Sequence, residues 1–217
     1  MPGAFESHGL VAEVGDKRHQ GPLAGLLPWF TKYFSWLSDG RSANADAMAY
    51  DYDKLYGETR DALGKPTSVF VDFFDQLDQQ NVRVLDVGCG QGRDAIFIAR
   101  KGHRVVGVDI STNGIRDLKA GAARENLPIE GVVADTATYE PDGMFDIVLI
   151  DRTLHMLVRS ARLSTLKTML DHVNEQGWLL IADEASNIGD FGSVISAHEA
   201  TWQTEFSRRG FLFVRRS

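Results

Sequence analysis

The chain has 217 residues, of which 30 are acidic and 23 are basic, so its formal net charge is −7 at neutral pH. This length suits one ordinary domain with an extension. The acidic balance argues against a nucleic-acid partner, which would need a basic face. No long apolar run predicts a membrane-spanning helix, and no secretory signal is visible. The single cysteine, Cys89, excludes an internal disulfide, and no Cys/His cluster has metal-site spacing, so we expect a cytoplasmic protein without a metal.

Two segments precede the main domain. Residues 1–21 are rich in glycine and charge and lack periodicity, which predicts a disordered tail. Apolar residues then recur at three- and four-residue steps over residues 22–40, which predicts an amphipathic helix. We assign residues 22–65 to a helical N-terminal extension. The helix over residues 22–40 either packs on the domain, forms a lid or makes a dimer contact, and the sequence is compatible with a monomer or a homodimer.

Strands and helices alternate from residue 66 onward. Strands are predicted over residues 82–87, 104–108, 129–134, 145–150 and 178–182, and helices over 66–79, 93–101, 113–125 and 163–173. Such alternation of continuous apolar strands with helices predicts a parallel sheet covered on both faces. Two final β-like runs, 201–207 and 211–215, flank a glycine turn and predict an antiparallel hairpin. The expected fold is α/β and doubly wound, Rossmann-like, with a mostly parallel seven-stranded sheet and an antiparallel C-terminal hairpin.

Acidic residues occur where four of the predicted strands end. They are Asp86, Asp109, Asp135 and Asp151. Because the carboxyl ends of parallel strands meet at one edge, where ligands bind in such sheets, we expect these acids to line one site. Each of them alone could instead be a helix N-cap or a turn residue.

The first strand runs into a glycine-rich loop. Residues 82–92 read VRVLDVGCGQG, and a segment with helical spacing follows. Glycine lets a ligand approach the backbone because it has no Cβ, and free amides at the helix start favour an anionic group. The dinucleotide fingerprint G-x-G-x-x-G places its third glycine three residues after the second. This chain has Arg93 at that position, and its third glycine, Gly92, comes one residue too early. A nicotinamide site is therefore the weaker interpretation of this loop.

The string LDVGCGQG, with Asp86 two residues before the first glycine, resembles the first motif of class I S-adenosylmethionine-dependent methyltransferases. The strings at 90–94 and 102–111 are most similar to the tellurite-resistance and thiopurine-type branch, whose members act on small acceptors. The resemblance covers residues 66–217 and implies S-adenosylmethionine as the cofactor and S-adenosylhomocysteine as the product. Residues 185–199 depart from the family, because they are short and glycine-containing where a full crossover helix is usual.

The resemblance implies a set of cofactor-binding residues. They are Asp86, Gly88, Cys89, Gly90, Arg93, Asp109, Ile110, Asp135, Thr136 and Asp151. Asp109 would accept hydrogen bonds from the ribose hydroxyls, Ile110 would lie against adenine, and Asp135 would accept from the adenine amino group. Asp86 would hold the ammonium group of the cofactor, directly or through water, or else orient the loop. Arg93 would meet a carboxylate or only form an ion pair with a neighbouring acid.

The segment after the fourth strand, residues 151–156, lies beside the transferable methyl group in this family. His155 is the candidate general base, because the ordinary pKa of histidine is near neutrality. Asp151 is a second catalytic candidate. A base is needed only if the acceptor arrives protonated, and His155 could instead cap or pack in the following helix. Arg152 either binds an anionic substrate or lies on the surface. Three tyrosines would roof the pocket or merely anchor a half-buried helix: Tyr50, Tyr52 and Tyr56.

These observations predict an S-adenosylmethionine-dependent methyltransferase that transfers a methyl group to a small-molecule acceptor by in-line displacement. Alignment of the two reactants would supply most of the catalysis. Two alternatives stay open. The first is a non-catalytic binding or regulatory protein that keeps the fold and the cofactor, and the second is a nicotinamide-dependent oxidoreductase. No motif identifies the accepting atom.

Overall fold

The computed structural model describes residues 51–217. The helices are α1 (Tyr52–Glu58), α2 (Ser68–Asp75), α3 (Arg93–Arg100), α4 (Thr112–Glu125), α5 (Arg159–Asp171) and α6 (Ile188–Ser196). The strands are β1 (Arg83–Val87), β2 (Arg104–Asp109), β3 (Ile129–Val133), β4 (Phe145–Asp151), β5 (Val173–Ala182), β6 (Trp202–Arg208) and β7 (Phe211–Arg216). The predicted tail, the predicted helix over 22–40 and Tyr50 lie outside the described residues.

The seven strands form one sheet in the order β3-β2-β1-β4-β5-β7-β6. Strands β1 to β5 all run parallel to one another, and β7 is antiparallel to both β5 and β6. This confirms the predicted doubly wound α/β fold with an antiparallel C-terminal hairpin. Val87 at the end of β1 lies opposite Val108 of β2 and Ile150 of β4. Strands β2 and β3 are added on one side of β1, and β4 and β5 are added on the other side. The carboxyl edge between β1 and β4 is therefore the switch point where ligands bind in such folds.

Helices cover both faces of the sheet because successive strand residues point to opposite sides. Leu179 of β5 belongs to a buried cluster with Leu166 of α5 and Phe191 of α6. The preceding residue, Trp178, faces the other layer, where Phe73 of α2 meets its ring edge-on with 5.2 Å between centroids. The two layers hold the strands in place and so fix the carboxyl edge. In the described part of the chain, no helix is long and apolar enough to cross a membrane.

The predicted start of β5 and the predicted bounds of the helix before it, 163–173, were wrong. Strand β5 begins at Val173 rather than at residue 178, and α5 ends at Asp171. A polar stretch, Asn174 to Gln176, interrupts the apolar pattern and hides the beginning of the strand. Gln176 has a φ of +60°, and the pairing of β4 with β5 shifts register here. An irregular strand of this kind does not show the strict periodicity from which strands are predicted. Helix α2 is also shorter than the predicted 66–79.

Helix α6 lies in the segment that seemed too short and glycine-rich for a crossover helix, so that expectation was wrong. Phe191 and Ile195 are buried and lie four residues apart, which gives the helix a core-facing side. Gly189 and Gly192 have open space where a Cβ would project. They therefore lie on the side of the helix that faces away from the core, where no side chain packs against them. Ile188 and Val194 are half-buried and pack against the same core, so four apolar side chains hold this short helix in place.

Candidate functional site

The glycine loop between β1 and α3 takes a left-handed backbone conformation at each of its glycines. The φ angles are +75° at Gly88, +52° at Gly90 and +85° at Gly92, a region that side chains disfavour. Protein side chains also pack directly on the loop. A Cβ at Gly90 would lie 2.6 Å from the hydroxyl oxygen of Tyr56, and a Cβ at Gly88 would collide with Thr153. The alternate glycines are therefore required by the fold itself.

Backbone amides tie the loop to the end of β2. The amides of Gly88 and Cys89 donate to the carbonyl of Val108 at 2.8 and 3.0 Å. The amide of Gly90 donates to Oδ2 of Asp109 at 2.8 Å, and Oδ1 of the same carboxylate accepts from the amide of Ser111 at 2.8 Å. Burial raises the pKa of Asp109 above its ordinary value, although these two amides partly oppose the shift. Asp109 thus positions the loop as well as facing the edge.

Beside Asp109, the ends of β2 and β3 form an apolar ledge with acids at its rim. Ile110 is 68% exposed, and Val133 at the end of β3 is 50% exposed. Asp135 is exposed, and its Oδ1 accepts from the amide of Ala137 at 2.9 Å. The structure therefore brings Asp109, Ile110 and Asp135 to one edge, as the strand ends predicted. Thr136 is buried next to them.

At the start of α3, directly after the glycine loop, three acids surround Arg93. Its guanidinium donates to Oδ2 of Asp94, 2.7 Å from Nη2, and also to Oδ2 of Asp151. Thr67 donates to Asp151 as well, at 2.6 Å. Asp86 is almost fully buried, and burial together with the charge of Asp94 raises its pKa well above the ordinary value. Arg93 thus forms ion pairs with neighbouring acids, and its contact with a carboxylate of the cofactor or substrate stays a prediction.

Two carboxylate oxygens in this acidic cluster are buried and lack a hydrogen-bond partner. They are Oδ2 of Asp86 and Oδ1 of Asp151. Buried polar atoms are nearly always paired in native proteins, so these two oxygens are available to accept hydrogen bonds from a ligand. The surplus of acids over the one arginine favours a donor that carries positive charge.

Helix α1 lies on the outer side of the glycine loop. Tyr56 is only 4% exposed, packs on Gly90 and has its pKa raised by burial. Asp53 accepts from the hydroxyl of Ser111 at 2.6 Å. Gln91, in the loop, accepts from the amide of residue 62 at 2.9 Å and donates to the carbonyl of residue 59 at 2.8 Å. The segment around α1 is therefore fastened to the loop at several points.

On the other side of the switch point, His155 lies beside a buried carboxylate. Its backbone amide donates to Oδ2 of Asp183 at 3.0 Å, and its Nδ1 lies 3.8 Å from the same oxygen. Asn187 donates to Oδ1 of Asp183 at 2.6 Å. Burial tends to raise the pKa of Asp183, but the contacts with His155 and Asn187 outweigh it and hold this pKa below its ordinary value. An ionised carboxylate therefore faces the imidazole.

The short 3-10 turn that carries His155 is held by one arginine. Arg162 donates to the carbonyls of Leu154, His155 and Leu157 at 3.0, 3.2 and 3.0 Å, and also to the side chain of Asn187. The turn is thus anchored to α5 rather than free to move. The same segment exposes apolar side chains, since Met156 is 52% and Val158 is 73% exposed.

Arg152 follows β4 with a φ of +54°, and 55% of its side chain is exposed. Its Nε lies 3.9 Å from Oδ1 of Asp151. It is therefore free to meet a ligand at the edge, and the choice between substrate binding and a plain surface role stays a prediction.

Sequence reasoning missed several side chains that build this site. Thr67, Gln91 and Thr153 hold the acids and the loop, and Asp183 faces the candidate base. The position of Asp183 after the last parallel strand was a signal, because the acids after the earlier strands had been assigned on that ground. Thr67 and Gln91 carried no such signal, since their partners are distant in sequence. Among residues 51–217, no cluster of histidine, cysteine and acidic side chains could hold a metal ion.

Comparison with known proteins matches a family described as a methyltransferase domain to residues 84–177. A protein of Geobacillus sp. (strain WCH70), named as a methyltransferase, is 32% identical over 62% of this chain and 55% of its own length. A Haemophilus influenzae protein, named as the S-adenosyl-L-methionine-dependent methyltransferase TehB, is 31% identical over 58% of this chain and 46% of its own length. The chain therefore spans about half the length of these relatives.

Among solved structures, a TehB-like methyltransferase from Corynebacterium glutamicum superposes with a TM-score of 0.57. The identity is 21%, and the match covers 71% of this chain and 89% of that one. At this identity the comparison supports the fold alone.

Proposed function

We propose that this chain, which belongs to the class I S-adenosylmethionine-dependent methyltransferases of the TehB type, transfers a methyl group from S-adenosylmethionine to a small-molecule acceptor. One observation supports this proposal above the others. An acidic cluster with unpaired carboxylate oxygens and a histidine beside a buried carboxylate lie at the same edge of the sheet. When bound, S-adenosylmethionine supplies a methyl group that its sulfonium already activates. The residues of the chain have to bind, align and, for some acceptors, remove a proton.

The edge residues fit the cofactor. Asp109 still has lone pairs for ribose hydroxyls, since each carboxylate oxygen can accept more than one hydrogen bond. The exposed side chain of Ile110 offers a flat apolar surface to adenine, and the second oxygen of Asp135 can accept from an amino group. The unpaired oxygens of Asp86 and Asp151 suit an ammonium group. Positive charge there would also favour the ionised form of Asp86.

We assign the role of general base to His155 and the role of its orienting partner to Asp183. A carboxylate beside Nδ1 stabilises the tautomer with its proton on Nδ1, which leaves Nε2 free to accept a proton. The separation of 3.8 Å is long for a hydrogen bond, and such contacts often tighten when the substrate complex forms. This pair supports an acceptor that arrives protonated, such as a hydroxyl, a phenol or a thiol.

The surface next to His155 supports an acceptor with an apolar body. Met156 and Val158 are exposed on the same segment, and large apolar side chains exposed together mark binding surfaces. Arg152 would add affinity for an anionic substituent. The net charge of −7 argues against a nucleic-acid partner, and we propose that the chain acts as a monomer or homodimer in the cytoplasm without a membrane partner.

The proposal is tested first by calorimetric titration with S-adenosylhomocysteine, and then by mass spectrometry of acceptors incubated with S-adenosylmethionine. The panel contains phenols and thiols, together with thioethers and pyridines, which carry no proton to remove. We expect His155→Gln to slow transfer to phenols by about 10²-fold or more and to leave transfer to the unprotonated acceptors nearly unchanged. His172→Gln is the matched control, because His172 hydrogen-bonds the carbonyl of Gly143 and lies outside the site.

Binding of S-adenosylhomocysteine without turnover of any acceptor would favour the non-catalytic alternative. An equal loss in both histidine variants, or in both classes of acceptor, would remove His155 from the role of base. Failure to bind S-adenosylhomocysteine, in protein shown to be folded, would overturn the cofactor assignment and with it the methyltransferase proposal.

A further inference from the structure

A cavity of about 660 Å³ lies behind the glycine loop, away from the edge that carries the acids and His155. Its walls are residues 60–66 on one side and the outer surfaces of α3 and α4 on the other. Gln91, Gly92 and Arg93 of the loop form the wall shared with the cofactor side. Neither Asp109 nor His155 lines it, so the cavity is not needed for the function proposed above.

Basic side chains outnumber acidic ones around this cavity, although the whole chain is acidic. The basic residues are Arg60, Lys65, Arg93, Arg100 and Arg124, and the acidic ones are Asp61, Asp117 and Glu125. Part of this charge is already neutralised. Arg93 pairs with acids below the loop, Arg100 pairs with Glu125 at 2.6 Å, and Asp117 is held by Gln91 and Arg116.

Three cations remain after these pairs are removed. Arg60, Lys65 and Arg124 make no hydrogen bond or ion pair with any residue of the part that the structure describes, and Asp61 is the one lining acid left to oppose them. The charge of Arg60 acts across the cavity, because it helps to lower the pKa of Asp117 on the facing helix. Burial raises that pKa, hydrogen bonds from Gln91 and Arg116 are the main causes that lower it, and the charge of Arg60 adds a smaller contribution.

The same cavity has an apolar side. Leu63 is 42% exposed, and it lies in the wall with Ile96 and Phe97. Both of these α3 residues are only half-buried. A volume of several hundred Å³ with mixed apolar and charged walls is typical of small-molecule sites. The cavity thus offers apolar contact and cationic groups to one ligand.

We propose that this cavity binds a small amphipathic anion, an organic carboxylate or phosphate attached to an apolar body, at a site separate from the methyl-transfer edge. The guanidinium groups of Arg60 and Arg124 present paired donors that match the geometry of carboxylate and phosphate oxygens. Lys65 adds a compact positive charge. Leu63 and Phe97 cover the apolar body, which explains why neither of them is buried by the protein itself.

The test is calorimetric titration of the full chain with octyl phosphate and with octanoate, using 1-octanol and inorganic phosphate as probes that each lack one half of the ligand. We expect both amphipathic anions to bind at least about tenfold more tightly than either half. The double variant Arg60→Ala/Arg124→Ala should weaken their binding about tenfold or more. The control Arg104→Ala/Lys167→Ala removes two exposed cations that do not line the cavity, and it should bind as the unmodified chain does.

Competition with S-adenosylhomocysteine decides whether the site is separate. We expect that a saturating concentration of S-adenosylhomocysteine changes the affinity of the chain for octyl phosphate by less than about twofold. Mutual displacement would place the anion in the cofactor site and overturn the inference. Equal binding of 1-octanol, or equal loss in the control variant, would overturn it as well. None of these measurements requires methyl transfer, so this inference and the proposed activity can fail independently.

Discussion

Replacement of Asp109 separates the two roles that its carboxylate performs. Its oxygens accept from the amides of Gly90 and Ser111, both at 2.8 Å, and the same oxygens face the predicted ribose position. In Asp109→Ala both amides lose their acceptor. In Asp109→Asn one oxygen remains, but the new NH₂ group faces a backbone N–H that needs an acceptor. The two variants therefore differ in what they remove from the loop.

The expected magnitudes follow from this accounting. Each partly buried amide left without an acceptor costs about 1–3 kcal/mol of unfolding free energy, so Asp109→Ala should be the less stable of the two. Loss of the ribose contacts should weaken S-adenosylhomocysteine binding by about 1–3 kcal/mol, which corresponds to roughly 5- to 150-fold in Kd. Asp109→Asn should show most of the binding loss with less of the stability loss.

The assay pairs thermal unfolding with calorimetric titration at a temperature where every variant is folded. Asp142→Asn is the matched control, because Asp142 is exposed and stands away from the edge. Wild-type affinity in folded Asp109→Asn would refute the role of Asp109 at the cofactor. Equal binding losses in Asp109→Asn and Asp142→Asn would refute it too, since the effect would then be one of net charge.

The same residue predicts a pH dependence. Burial raises the pKa of Asp109 in the folded protein above its ordinary value, which is about 3.9. Because the ionised form is the better acceptor, affinity for S-adenosylhomocysteine should fall as the pH drops through this raised pKa, and so should begin to fall above pH 4. Asp109→Asn should lack this component. Parallel pH profiles for the two proteins would show that the titration of another group is responsible.

Two further predictions concern the packing of the loop and the base. Gly90→Ala places a Cβ 2.6 Å from the Tyr56 hydroxyl at a φ of +52°, so unfolding free energy should fall by about 2–4 kcal/mol. Adding Tyr56→Ala should cost less in that background than in the unmodified chain, and strict additivity in chemical denaturation would exclude the contact as the cause. The pKa of Asp183 is held below its ordinary value, so its contribution to stability is present above about pH 4 and is lost as the pH falls through the folded-state pKa. Thermal unfolding between pH 5 and pH 2.5 should show a smaller acid-induced decrease for Asp183→Asn than for the unmodified chain, and identical curves would contradict this.

The parts of the fold that could be predicted are those with a strong local pattern. Apolar runs at β1, β2 and β4 identify buried strands because a parallel sheet covers both faces of each strand. The glycine loop identifies the strand–loop–helix unit, and the resemblance to methyltransferases that depends on it is confirmed by the family match at residues 84–177. Where the pattern was weak, prediction failed. The polar start of β5 interrupts the apolar run, and two glycines among the apolar residues of α6 conceal its helical spacing.

Partnerships between distant residues were beyond the reach of the sequence. The strand ends predicted which acids meet at the edge, because parallel strands align their carboxyl ends. They did not predict that Arg93 would reach Asp151, 58 positions away, or that His155 would find Asp183 across 28 positions. Such pairs depend on how two separate elements pack side by side. Local propensity and spacing carry no information about that packing.

The glycine loop separates two surroundings of opposite charge, and Arg93 belongs to both. Arg93 is one of the residues that line the cationic cavity, yet its guanidinium pairs with Asp94 and Asp151. Because those acids already neutralise it, Arg93 adds little to the attraction of an anion, and the cavity depends on Arg60 and its unpaired neighbours. The acids still outnumber Arg93 below the loop, so that side keeps a demand for positive charge. One half-buried arginine can thus stabilise the wall between the two sites.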